Sequence, residues 1–378
     1  AKDPGAYIHN GTYIQQLLYD STMAIGGSTM VEVPGRDDFM GGNPTQQWQL
    51  SGHGDYFGEA FRHFDEDGSV GASCAKCHST GGFIEWADTG DVVDDIPLGS
   101  RVDCTACHQS PNLFANPETR WQVQDDAGTG ELVDVVFPSG VTVDSGGPSN
   151  LCLSCHQGRA SGLDVAQEII DTPGGPHSFI NIHYYAAAAS YYGADVNAGF
   201  HYFGKNYQGQ IAFAAHGGND AITTCTGCHM SGDDVDHTFE VKIENCGPCH
   251  TSGSGEFKDL TGSPGVHYAA IQTSLTELYA EIQAYAEDPL GLDMPIVYDA
   301  HAYPYFFNDL NGNGEPDEDE INYGNRYVDF DDELLAAAYN YQVGLKDPCG
   351  YIHNGIYIRQ ILFDSIEDLG GTPTDTRP

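Results

Sequence analysis

Sustained hydrophobic periodicity is confined to a few stretches of this chain. Tyr13, Ile14, Leu17 and Leu18 form an apolar stripe at helical spacing near the start. Similar patterns predict a helix near 161–170, an amphipathic helix over 266–287 and another over 332–343. Residues 179–193, FINIHYYAAAASYYG, predict the clearest helix of the middle, Ala-rich and closed by Gly193 as a C-cap. A short helical pattern in SGHGDYFGEAFRHFDED (51–67) carries His53 and His63. Two stretches alternate as strands do: VVFPSGVTV (135–143) as a short hairpin, and HTFEVKIENC (237–246) as a strand. Residues 28–50 read as an irregular linker, and 79–103 as loop with some strand character.

A repeat frames the chain. KDPGAYIHNGTYIQQLLYDS (2–21) and KDPCGYIHNGIYIRQILFDS (346–365) share fourteen of twenty positions, and each runs on to a Gly-Gly. Each copy predicts a turn followed by a short amphipathic helix. One reading is a duplicated packing helix. The other is a segment that docks in a neighbouring subunit where its twin belongs, giving open head-to-tail association.

Composition narrows the function. The 378 residues suffice for one large domain or two smaller ones. With 14 Lys and Arg against 55 Asp and Glu the net charge is −41, which disfavours nucleic acid and anionic membrane as partners. No apolar run approaches the roughly 18 residues of a membrane span. The 47 glycines and 19 prolines match a chain with few long periodic helices.

The chemistry lies in five Cys-x-x-Cys-His units: Cys74, Cys77 and His78; Cys104, Cys107 and His108; Cys152, Cys155 and His156; Cys225, Cys228 and His229; Cys246, Cys249 and His250. This is the attachment signature of c-type haem. Two thiols at this spacing each add to one vinyl group of a porphyrin, and the following His supplies the proximal nitrogen to iron. The units use ten of eleven cysteines. A zinc site would not require His at the same offset every time. Five covalent haems are therefore expected, with porphyrin supplying much of the apolar core. Haem attachment of this kind occurs outside the cytoplasm, so Ala1 is read as the start of an exported, mature chain whose signal peptide has been removed.

Sixteen histidines less the five proximal ones leave eleven for the second axial positions. His53, His63, His183, His216 and His237 are the distal candidates: they flank the first or fourth unit or lie among small Ala side chains that admit a porphyrin. His9 and His353, equivalent in the repeat, are held in reserve as distal or inter-subunit ligands. His177, His201, His267 and His301 read as structural or surface residues, and Met230 alone among the methionines sits close to a unit.

DLNGNGEPDEDE (309–320) fits a twelve-residue calcium loop, with Asp309, Asn311, Asn313, Glu315 (through its carbonyl), Asp317 and Glu320 as ligands and Gly314 at the sharp turn. YPYFF precedes it in place of an EF-hand helix, which points to a structural Ca²⁺.

The phrases SGH…AF-x-HFDEDG…SCAKCHST, CLSCHQGRAS, NIHYYAAAA, HTFEVKIENCGPCH and HAYPYFFNDLNGNGEPDEDE together resemble multihaem c-type cytochromes of metal-reducing and related anaerobic microbes, over about 51–371. The resemblance implies electron transfer at or beyond the outer cell surface, through bis-His haems, and similar cytochromes polymerise into haem-wire filaments. Partners are then copies of the chain or neighbouring cytochromes, and terminal electron acceptors. The expected fold class is a mostly irregular multihaem cytochrome c, with short helices and few short strands packed around five covalent haems. The expected organisation is an N-terminal repeat helix (1–27), a pentahaem core (28–260), a haem-free region with the calcium loop (261–345), and a C-terminal repeat helix and tail (346–378). Cys349 departs from the repeat, which has Gly5 there, and is either free or paired between chains. Two rival functions stay open: a pentahaem reductase of nitrite or hydroxylamine type, which needs one open iron, and a monomeric electron shuttle.

Overall fold

A computed structural model describes residues 44–109, 134–145, 147–210, 224–231, 235–246, 250, 256–260, 262–287 and 295–378. The first half consists of short elements: α1 (Pro44–Leu50), α2 (Glu59–Arg62), β1 (Ser69–Val70), α3 (Ala72–His78), α4 (Thr80–Thr89), β2 (Ile96–Pro97), α5 (Cys104–Cys107), β3 (Val135–Val136), β4 (Thr142–Val143), α6 (Ser149–His156), α7 (Gly162–Asp171), α8 (Ala187–Tyr192) and α9 (Cys225–His229). The second half holds the long helices: α10 (Ser263–Glu287), β5 (Ile296–Tyr298), β6 (Phe306–Asn308), α11 (Asp332–Lys346) and α12 (Gly350–Asp368). The strands make three separate two-stranded antiparallel ladders, β1–β2, β3–β4 and β5–β6, and among the described residues no larger sheet forms. This is the irregular class expected from sequence.

Two apolar centres result. A small one, Phe64, Val70, Ala75 and Val92 with Trp86 and Ile96 against it, surrounds the first Cys-x-x-Cys-His helix. The large one draws on residues from Val135 to Ile366. Its frame is α10, α11 and α12 packed on one another. On α10 the stripe Ile271, Leu275, Leu278, Ile282 and Ala286 is buried, the i, i+4, i+7 spacing of one helix face. Each such Ile or Leu contributes roughly 1.5–3 kcal/mol by leaving water. Along α11 nearly every residue from Leu334 to Gly344 is buried. A β-carbon at Gly344 would lie 3.0 Å from Leu275 Cδ2 and 3.3 Å from Leu362 Cδ2, so glycine sets how closely the three helices approach. The start of α11 is fixed by the Asp331 carboxylate, which accepts from the Leu334 amide at 2.9 Å. Buried Asn340 ties α11 to its neighbours: its Oδ1 accepts from the Phe200 amide (2.8 Å), and its Nδ2 donates to the Phe200 carbonyl (3.1 Å) and to Ser365 Oγ (3.0 Å).

Five expectations change. Pro44–Leu50, read as the end of an irregular linker, is helix α1. Thr80–Thr89, read as loop, is a helix, N-capped by Ser79 Oγ accepting from the Gly82 amide. Residues 179–186, read as the first half of a helix, are not helical: His183 has φ +81° and Tyr185 φ +51°, and the helix covers only Ala187–Tyr192 before Gly193. Residues 237–246 alternate without finding a partner strand and instead turn into a 3₁₀ segment at Ile243–Asn245. The 346–365 repeat copy is longer than a short helix, and it is two helices joined at Asn354 (φ −164°, ψ 68°). Asn354 makes that joint: its Oδ1 accepts from the Tyr357 amide at 3.2 Å, capping the second half, while its Nδ2 donates to the Gly209 carbonyl at 2.9 Å. The 135–143 hairpin and the helices at 162–171, 263–287 and 332–346 form where periodicity placed them. The 2–21 copy, with His9, lies outside the described residues.

Candidate metal centre

Four of the five units sit on single short helices. Cys74–His78 closes α3, Cys104–Cys107 is α5 with His108 as its C-cap, Cys152–His156 closes α6, and Cys225–His229 is α9. One helical turn brings residues i, i+3 and i+4 to one face, so both thiols and the imidazole share a side. Local caps start these turns: Asp103 Oδ1 accepts from the Thr105 amide at 2.8 Å, and Thr224 Oγ1 from the Gly227 amide at 3.0 Å. In the fifth unit the His250 amide donates to the Cys246 carbonyl at 2.8 Å, again one turn, while Cys249 lies outside the described residues.

Backbone carbonyls orient the proximal rings. His78 Nδ1 lies 2.7 Å from the Ala60 carbonyl, His156 Nδ1 2.9 Å from that of Tyr185, and His229 Nδ1 2.8 Å from that of Phe239. A carbonyl only accepts, so each Nδ1 carries the proton and each Nε2 keeps its lone pair for a metal. Burial lowers the pKa of all three below the ordinary histidine value, which keeps them neutral.

Each of four proximal rings faces a second histidine. The centroids of His78 and His183 are 5.9 Å apart, those of His156 and His53 6.2 Å, of His108 and His237 6.2 Å, and of His229 and His353 6.3 Å. Two metal–imidazole bonds of about 2 Å in line, with a ring radius of roughly 1 Å at each end, put axial ring centroids about 6 Å apart. Four such pairs fit one iron each between them. His53 and His183 are lowered to about 4, by burial first and by the facing histidine second, so they too are neutral.

Three of the distal candidates, His53, His183 and His237, thus each face a Cys-x-x-Cys-His ring. His53, however, faces the third unit although it precedes the first. His63 does not join a proximal ring in these pairs: its side chain is 62% exposed, beside Glu59 at 3.3 Å and against Phe64. His216 lies outside the described residues. His353, held in reserve, faces His229 within its own chain. The signal for it was the repeat itself, whose Asn354 joint ends the first half-helix directly after His353. His177, with a fully buried side chain, bridges Glu168 Oε1 (3.1 Å) and Asp332 Oδ1 (2.8 Å), and His201 stacks on Tyr207, so both are structural.

The units converge. The thiol of Cys77 contacts that of Cys155, and Cys152 contacts Cys225. Cys107 is an electrostatic neighbour of both Cys152 and Cys155, and Cys246 of Cys228. The third unit is therefore central, touched by the first and fourth and close to the second, and the fifth adjoins the fourth. Cys349, just before α12, is partly buried with its pKa pushed up to about 11 by burial, an unreactive thiol at neutral pH.

In the 309–320 loop, Asp309 accepts from the Gly312 amide (2.6 Å) and the Gly314 amide (2.7 Å) through its two oxygens. Glu320 Oε1 reaches back to the Leu310 amide at 2.8 Å, and both carboxylates are buried. Gly314 takes φ +78° at the sharp turn. Among the described residues no three His, Cys, Asp or Glu side chains converge closely enough to hold an ion by themselves. Of the other side chains expected to ligate, Asn311 and Asn313 donate through their amides to Asp317 Oδ2 at 2.7 and 2.8 Å.

No family model matches the chain. Among curated proteins, the C-type polyheme cytochrome OmcB of Geobacter sulfurreducens is 25% identical, over 82% of this chain and 45% of its own length. The C-type polyheme cytochrome OmcC of the same organism is 26% identical, over 97% of this chain and 50% of its own. The chain thus spans about half the length of the curated relatives it matches. The crystal structure of the outer cell wall cytochrome OcwA aligns with a TM-score of 0.47 at 15% identity, covering 86% of this chain and 50% of that one. Five Cys-x-x-Cys-His units, three of their imidazoles held by backbone carbonyls and four facing a second imidazole, agree with the first two of these likenesses: the chain is a homologue of the polyhaem c-type cytochromes.

Proposed function

We propose that the chain is an electron conduit of five covalently attached haems. The observation that carries this reading is the set of four facing imidazole pairs at 5.9–6.3 Å. In each pair the Cys-x-x-Cys-His histidine is the proximal ligand, and His183, His53, His237 or His353 the distal one. Bound haem supplies one-electron exchange between ferric and ferrous iron. The chain supplies everything else. Its carbonyls hold the rings of His78, His156 and His229, a second imidazole closes the other axial position at four of the units, and burial keeps His78, His156, His229, His53 and His183 neutral. With both positions taken, no substrate reaches iron, which favours transfer over reductase chemistry.

The convergence of the units at Cys77–Cys155 and Cys152–Cys225 supports short hops with the third site as a junction. We extend the reading to an extracellular or cell-surface setting, where neighbouring cytochromes and terminal acceptors are the partners. The repeat further supports association of copies head to tail, the 2–21 segment serving a neighbouring chain as 346–365 serves its own, against the mutual repulsion of a net charge of −41. Ca²⁺ in the 309–320 loop, and the 28–260 and 261–345 division into haem-bearing and haem-free regions, belong to the same proposal.

The test is a visible spectrum of the dithionite-reduced, haem-loaded protein with and without carbon monoxide. Sharp low-spin bands that ignore carbon monoxide are the expected result. A shift of about one haem in five would mean an open iron and turn the reading to a reductase.

A further inference from the structure

One axial pair is built differently from the rest. The Nδ1 atoms of His78, His156, His229 and His237 meet backbone carbonyls, at 2.7, 2.9, 2.8 and 3.0 Å. The Nδ1 of His353 instead lies 2.7 Å from Oδ2 of Asp347, a carboxylate whose side chain is 3% exposed. The other oxygen of Asp347 accepts from the Cys349 amide at 3.2 Å, and Ser190 also bonds the carboxylate. The adjacent cation, Lys346, is turned to the Ala300 carbonyl and to the rings of Tyr184 and Tyr305. Asp347 is thus a buried negative charge whose close polar contacts are one imidazole and neutral donors.

A carbonyl offers an imidazole N–H a dipole. A carboxylate offers a full charge, and in a site removed from water that charge is weakly screened. An imidazole that donates to carboxylate is a more basic ligand and favours the more positive oxidation state of the metal it binds. The two repeat copies keep the same pair at the same spacing in sequence, Asp3 with His9 and Asp347 with His353.

We propose that Asp347 is a charged tuning residue that acts through His353 and gives the His229–His353 site the lowest reduction potential in the chain. This rests on the reading that His229 and His353 ligate one iron. Asp347 would act only through the imidazole it holds; it is a positioning residue, and its effect is on the ferric–ferrous balance. Asp347 also lies within electrostatic reach of His156, so the third site feels the same charge without the hydrogen bond.

The test is a mediated potentiometric titration of the haem-loaded protein and its Asp347→Asn variant, with haem content checked by mass. The lowest component should move upward by at least tenfold in its reduction equilibrium, which for one electron is 59 mV, and the others by less. Asp347→Glu, which keeps the charge, should leave that component near its original position. Uniform movement, or none, would overturn the proposal. His353→Ala separates the two levels. If it exposes no iron to carbon monoxide, the ligation reading fails. If it exposes one but the component it removes is not the lowest, ligation stands and the tuning role fails, even where Asp347→Asn does not load haem.

Discussion

The ring of His183 stands 5.9 Å from that of His78, and it does so from a backbone turned to φ +81°. A side-chain amide sets that turn: Asn181 Oδ1 accepts from the His183 amide at 2.8 Å. His183 is therefore presented by a loop that leads into the Ala-rich helix Ala187–Tyr192. Replacing His183 by Ala should expose one iron. Carbon monoxide difference spectra should gain about one fifth of the total haem, whereas His63→Ala should leave the spectrum unchanged. Equal responses would mean that His63, and not only the facing ring, completes a site.

His177 staples α7 to α11 through Glu168 and Asp332. Burial opposes its charge, but the two carboxylates outweigh burial and raise its pKa above the ordinary value. The sign follows from that. The contribution is complete below the unfolded histidine value of about 6.5 and is lost as pH rises through the folded value. Denaturant midpoints of the parent and of His177→Gln should differ most near pH 5.5, by roughly 1.5–3 kcal/mol, and converge on the alkaline side.

Leu278 is fully buried in the α10 stripe. Leu278→Ala should cost roughly 2–5 kcal/mol through lost burial and the cavity left behind. Equilibrium denaturation followed by far-UV circular dichroism would measure this. The four axial pairs involve no residue of α10, so the visible spectrum should not change.

The proposed Ca²⁺ site in the 309–320 loop gives a separate measurement. Added Ca²⁺ should raise the melting temperature of the haem-loaded protein, and chelator should reverse the rise. Glu320→Gln, at the twelfth position, should abolish the response. An unchanged melting temperature in the parent would reduce the loop to a turn closed by Asp309 and Glu320 on backbone amides.

What could be read in advance was set by local chemistry. The thiol and imidazole spacing of one helical turn is a local property, so the five units were legible. So were α10 and α11, where long periodic stripes match helix faces. Pairing between distant segments was not. Nothing near His53 in sequence assigns it to His156 rather than His78, because that choice depends on how α3 packs on α6. Alternation at 237–246 misled because a strand needs a partner, and this segment spends its hydrogen bonds elsewhere: the His237 amide donates to Gln47 Oε1, and the Phe239 carbonyl accepts from His229. The Asn354 joint was also hidden, since an Asn inside a helical pattern breaks it only where its side chain finds other partners.

That joint has a consequence for the order in which the protein is made. A chain emerges with its N-terminal part first. On the proposed ligation, His53 is already present when the Cys152–His156 unit appears, so that site could close at once. The Cys225–His229 unit would wait for His353, which arrives on the far side of the 309–320 loop and two long helices. The half of α12 beyond Asn354 carries Tyr357, Ile358, Ile361 and Leu362 into the main apolar centre. Docking of that half would set His353 and Asp347 in place together. On the proposed ligation, closure of the His229–His353 site then depends on a folded C-terminal core.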